Sequence, residues 1–115
     1  MTELIALLGS GKGTWAEVAA LMKSQPWEHI FLITDTFGKE KFTADAEFIV
    51  IDTRRSILEL RDEAHQKLSG KIKGLEIALN MSSGSGKEHM AVLSALMKLG
   101  VGFRLVTVDE GFKEL

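Results

Sequence analysis

ALNMSSGSGKEHM, residues 78–90, decides how the chain is read. An apolar run stops at Asn80, small residues and one lysine follow, and an apolar helical pattern then begins. Strand, small-residue loop and helix in that order form the unit of a parallel α/β sheet. ALLGSGKGTWAEV, residues 6–18, does nearly the same thing, so the chain carries two such junctions.

Working outward, strands are predicted at 3–8, 29–34, 47–52, 74–80 and 102–108. Most are near-continuous apolar runs, as expected where both faces of a sheet are covered. Helices are predicted at 15–24, 54–69 and 87–99, with a short turn or helix near 38–44. Thr14 and Glu17 have capping-box spacing, and Pro26 lies just beyond the first helix. Ile57, Leu60, Ala64 and Leu68 recur at helical spacing, and Gly70 and Gly100 stand where left-handed C-terminal residues are wanted. The closing DEGFKEL reads as an appendage. The alternation predicts one Rossmann-like domain over 1–115: a doubly wound α/β three-layer sandwich with a mainly parallel five-stranded sheet in the order 3-2-1-4-5.

Apolar residues make up 45% of the chain and charged residues 26%, ordinary values for a globular domain. The formal net charge of −2 disfavours a sequence-independent duplex-DNA binder. No cysteine is present, which excludes disulfides, thiolate catalysis and cysteine-ligated metals. No basic segment precedes LIALL, and no 18 apolar residues run together, so the expectation is a cytoplasmic protein without a membrane span.

In the order 3-2-1-4-5 the first and fourth strands are neighbours whose crossovers leave on opposite faces. Ligands of open parallel sheets bind at that switch point. Residues 9–14 and 81–87 would then meet there as one site. Gly9, Gly11, Gly13, Gly84 and Gly86 permit close backbone approach, and Ser10, Thr14, Ser82, Ser83 and Ser85 supply hydroxyls. Lys12 and Lys87 supply cations, and helix-start amides add partial positive charge. No carboxylate lies inside either loop, and Glu88 follows the second, so the pattern suits a phosphate and suits a metal poorly.

A P-loop is excluded: five residues before each Gly-Lys stand Ala6 and Met81, and after each lysine come Gly13 and Glu88. Gly11-Lys12-Gly13-Thr14-Trp15-Ala16 does satisfy a dinucleotide fingerprint, and Asp35 follows Gly11 by 24 residues. A dinucleotide- or mononucleotide-binding protein for NAD or S-adenosylmethionine, or a regulatory module for another anion, therefore stays open as an alternative. So does an interaction domain whose loops are merely turns.

LNMSSGSGKEHMAVLSAL resembles the strand, loop and helix signature of the CARF family, the CRISPR-associated Rossmann fold. IALLGSGKGTWAEVAALM followed by HIFLITD is similar to that family's opening unit. The resemblance implies a standalone homodimeric sensor that holds a cyclic oligoadenylate across its two-fold axis. Some members also cleave the ring they bind, without metal or cofactor. By motif position, Ser10 would be the opening-loop hydroxyl and Lys87 the lysine after the second loop, the two residues implied for cleavage. The second loop is one or two residues longer than the family's usual Gly-Gly-Thr-Lys type, and 115 residues are expected to leave no room for the fused effector module usual among its members.

Residue chemistry also favours a dimer. Met90, Val92, Leu93, Leu96, Met97 and Leu99 span a wider arc of helix 87–99 than one sheet contact consumes. Ala91, Ser94 and Ala95 read as small residues that admit another helix, the alternative being a helix buried within one protomer. Four charge-assisted bonds of about 1.5–3 kcal/mol each only roughly offset an association cost of about 4–15, so doubling the contacts favours tight binding. His89 reads as a packing or solvated residue with general acid–base work as the alternative, and Trp15 as packing rather than base stacking. Arg54 and Arg55 read as a solvated helix start, with an extension of the cationic surface as the alternative, and Asp35 and Asp52 as making capping or backbone contacts rather than doing catalysis.

Overall fold

The computed structural model describes residues 2–9 and 12–115, with Lys12 described by its backbone alone. The strands are β1 Glu3–Leu7, β2 His29–Thr34, β3 Glu47–Val50, β4 Glu76–Asn80, β5 Gly102–Val108 and β6 Phe112–Glu114. The helices are α1 Trp15–Ser24, α2 Thr36–Lys41, α3 Ile57–Leu68 and α4 Gly86–Leu99, and a short 3-10 turn, Lys12–Thr14, precedes α1.

Among the described residues the strands form one sheet in the order β3-β2-β1-β4-β5-β6. Pairings among β1 to β5 are parallel, and β6 joins β5 antiparallel. The expected 3-2-1-4-5 arrangement is present and is extended by one strand. Residues 109–115 are therefore no appendage. Glu110 and Gly111 turn at φ 55° and 101°, Asp109 N–H donates to Gly111 O, and Phe112 packs edge-on against Trp27 at 5.8 Å.

Alternate residues of β1 divide between the two faces, as a pleated strand requires. Ile5 and Leu7 join Phe31, Ile33, Ile77 and Leu79 beneath Leu60 and Leu68 of α3 and Val92 and Leu96 of α4. Leu4, Ala6 and Leu8 face the other way, toward Val18 and Leu21 of α1. All five residues of β1 are buried, which a strand between two neighbours and two helical layers must be. Each leucine or isoleucine so buried contributes about 1.5–3 kcal/mol.

Two expectations about helices are overturned. Thr14 makes no side-chain cap: it sits at φ −101°, ψ 0°, whereas a capping residue needs the extended region. Capping boxes form instead at Ser56 with Glu59 and at Ser85 with Glu88, both with ψ 164°. In α4, Ala91 and Ala95 are buried while Met90 and Met97 are 61% and 72% exposed. Ala91 and Ala95 continue the stripe of Lys87, whose ammonium reaches Arg55 O just ahead of α3. The helix they admit is thus α3 of the same chain.

Candidate functional site

The carboxyl ends of β1 and β4 bring the two small-residue loops into contact. Ser83, only 2% exposed, is their hub. Its Oγ accepts from Gly9 N at 2.8 Å and from Thr14 Oγ1 at 2.6 Å, across more than sixty residues of sequence. Thr14 therefore spends its hydroxyl on the facing loop rather than on its own helix. A Cβ at Gly9 would stand 2.7 Å from Gly84 N and 2.9 Å from its Cα, so the two backbones touch only because Gly9 has no side chain. Gly84 takes φ +96°, a conformation that L side chains rarely adopt.

Neighbouring side chains hold both loops. Trp15 Nε1–H donates to Gly9 O at 2.7 Å, and its ring packs against Phe42 and Phe37. Trp15 is thus a packing residue. Thr34, buried at the end of β2, donates its hydroxyl to Leu8 O. On the second loop, Asn80 Oδ1 accepts from the Ser82 amide and hydroxyl while Asn80 Nδ2 donates to Val106 O. His89 Nε2 lies 2.9 Å from Ser83 O, so this histidine turns inward and braces the loop.

Gly9, Gly13, Thr14, Ser82, Ser83, Gly84 and Ser85 line a cleft of about 410 Å³, together with Glu88. Gly86 opens α4 beside it. Among the first-turn amides of α4, Glu88 N–H is taken by Ser85 Oγ, while those of Gly86 and Lys87 have no intrahelical acceptor, as at any helix start. Ser10, Gly11 and the side chain of Lys12 lie outside the described residues.

Two placements differ from the sequence reading. Lys87 does not line the cleft; its ammonium donates to Arg55 O at 2.8 Å on the α3 side. Glu88 does line it, its Oε1 accepting from Ser85 N at 3.2 Å. The Ser85-Gly86-Lys87-Glu88 spacing was a readable capping-box signal that would have turned this carboxylate back toward the loop.

A second, larger groove of about 540 Å³ opens at the carboxyl ends of β2 and β3. Asp35 caps α2, its Oδ1 accepting from Gly38 N at 2.8 Å. Asp52 accepts from Arg54 at Nε and at its amide and approaches Arg55, which holds its carboxyl down to about 2 from 3.8. Asp52 N–H donates to Glu63. Asp35 thus caps a helix and Asp52 takes a backbone contact, as expected, while Asp52 also pairs with Arg54, which is largely exposed. Among the described residues no group of three or more His, Asp or Glu is placed to hold a metal ion, and no helix is long and apolar enough to cross a membrane.

No protein-family model, curated protein or solved structure matches the chain.

Proposed function

We propose that the protein binds a phosphodiester-bearing nucleotide in the cleft between the 9–14 and 82–85 loops. The observation that carries this reading is the Ser83 hub, which joins the two loops at the switch point of the sheet. The Ser85 hydroxyl, whose oxygen accepts from Glu88 N–H and whose proton is left for a ligand, and the first-turn amides of Gly86 and Lys87 suit phosphate oxygens. In its finer form the ligand is a cyclic oligoadenylate shared by two copies of the chain, the CARF-type arrangement. Supporting a shared site, Met90 and Met97 stand one above the other on the outer face of α4, with Leu105 and Leu115 also exposed.

Ring cleavage is the further step of this reading. A ribose 2′-hydroxyl attacks the adjacent phosphorus, the bond to the 5′-oxygen breaks, and a 2′,3′-cyclic phosphate and a 5′-hydroxyl result. Positioning supplies most of such an acceleration, with cations and donors stabilising the phosphoryl charge. Lys87 reaches the ligand by exchanging Arg55 O for a phosphate oxygen.

Thermal shift against cyclic oligoadenylates, NAD(H), S-adenosylmethionine and ATP tests the reading. A ligand at a hundredfold excess over Kd adds about 2.7 kcal/mol of stability. Chromatography of the released ligand then shows whether the ring survives. No shift with any nucleotide would leave an interaction domain whose loops are turns. Lys87→Met binding as tightly as wild type would remove Lys87 from the site.

A further inference from the structure

We infer that the free edge of β3 is a docking slot for an extended peptide of a partner protein, with carboxylates at one end of the peptide and cations at the other. β3 is the outermost strand on its side of the sheet and offers four residues, about 13 Å of edge. Ile51 N–H donates to Thr34 O of β2. Residues of a parallel strand turn their main-chain groups alternately to either side, so Glu47 and Ile49 face β2 while Phe48 and Val50 face outward. Of the outward groups, Val50 O accepts from the Lys67 ammonium of α3. Among the described residues no strand covers the others.

Two grooves run along this edge. One, of about 400 Å³, has Phe48 and Val50 on its floor, with Lys39 of α2 and Gln66 of α3 on its walls. The other is the groove at the carboxyl ends of β2 and β3, and Val50 and Lys67 line both. The floor thus lies between two helices. A single extended chain fits such a slot better than a second copy, whose own β3 is flanked by the same two helices.

Charge changes sign along the slot. Apart from the shared Lys67, its first part carries Lys39 and Lys71 against Glu47, a net +1. The second part carries Arg54 against Asp35, Asp52 and Glu63, a net −2. Lys39 has no ion-pair partner among the described residues. Lys71 with Glu47 and Lys67 with Glu63 are surface pairs, which are weak and exchange readily. Peptide carboxylates beside Lys39 and Lys71, and peptide cations beside Asp35 and Asp52, complement both parts. The peptide main chain then pairs with Phe48 and Val50 as an added strand, and its N–H replaces Lys67 on Val50 O.

Fluorescence anisotropy with the full chain tests this, using the labelled peptide Lys-Lys-Thr-Val-Thr-Val-Glu-Glu and the same residues in reverse order, so that both strand directions are covered. One of the two is expected to bind, and to bind more weakly as salt rises. Val50→Pro removes an outward N–H without touching the β2 ladder, a place where an edge strand tolerates proline. With its Tm checked, this variant is expected to bind the peptide at least tenfold more weakly. Lys39→Glu, at an exposed position, should weaken binding several-fold with Tm unchanged, and it decides the matter if Val50→Pro fails to fold. Binding of neither peptide overturns the inference, as does wild-type affinity in the folded variants. A free chain that is dimeric by light scattering and monomeric as Val50→Pro makes a second copy the occupant and overturns it too. The loop cleft takes no part, so nucleotide binding stands or falls separately.

Discussion

The loops after β1 and β4 are near twins in composition and opposites in construction. The second is self-supporting: Asn80 ties Ser82, His89 braces Ser83, and Ser85 and Glu88 cap α4 reciprocally. The first lacks a side-chain cap of its own and leans on the second through Gly9 and Thr14. Small residues thus did two different jobs. In one loop they build a clamp; in the other they allow close docking onto it.

The sharpest way to break this contrast is Gly9→Ala. Its methyl group would meet Gly84 backbone at 2.7 Å, and no rotamer change relieves a backbone clash. Overpacking of this kind costs about 3 kcal/mol, or roughly 12 °C in Tm by calorimetry. Gly13→Ala, with open space at its Cβ, should change Tm little beyond its helix-turn propensity. Equal losses at the two positions would refute the docking picture.

Next in size is Ser83→Ala, which strands the half-buried Gly9 amide and Thr14 hydroxyl. A loss of about 1–3 kcal/mol in urea unfolding is expected. Thr14→Val removes one of those two bonds and should cost less than Ser83→Ala. If Thr14→Val were the more damaging, Ser83 would not be the hub.

Capping gives a smaller effect that sharpens the same comparison. Ser85→Ala should cost about 1 kcal/mol by loss of the α4 cap. Glu88→Gln retains much of the box and removes like charge from a cleft read as anion-binding. Two unit charges about 5 Å apart repel by about 3 kcal/mol at an effective dielectric of about 20, and solvent screening reduces this. Affinity for pyrophosphate should therefore rise several-fold; a fall would argue that the cleft is not anionic in preference.

The smallest effect lies outside the loops, at Asp52. Its carboxyl is depressed from 3.8 to about 2 by the Arg54 side chain first and the Arg54 amide second. The stability it contributes is present above about pH 4 and lost as pH falls toward 2. Urea midpoints measured across that range should decline less for Asp52→Asn than for wild type.

The strand order and the meeting of the loops were legible because both follow from general rules. Apolar runs alternating with helical periods require parallel crossovers, and the order of crossovers fixes which loops are neighbours. Local detail was less so. Thr14, Ser56 and Ser85 each carry a Ser/Thr-x-x-Glu pattern, and the spacing cannot show that the turn at 12–14 forces Thr14 out of the extended region. Only the other two form. Strand β6 is hard to read from the sequence because three residues with two charges make no apolar run, although Asp109-Glu110-Gly111 is a hairpin turn signal. The position of Lys87 after the glycines points to the cleft, but side-chain reach on a helix start is set by the facing element, here Arg55 ahead of α3.

Amide chemical shifts of the full chain, titrated by NMR with cyclic tetraadenylate and with pyrophosphate, test the shared cleft most directly. The account expects the amides of 12–14 and 82–88 to move together along one saturation curve with a single Kd. Shifts confined to one of the two loops, or absent from both while another surface responds, would contradict it.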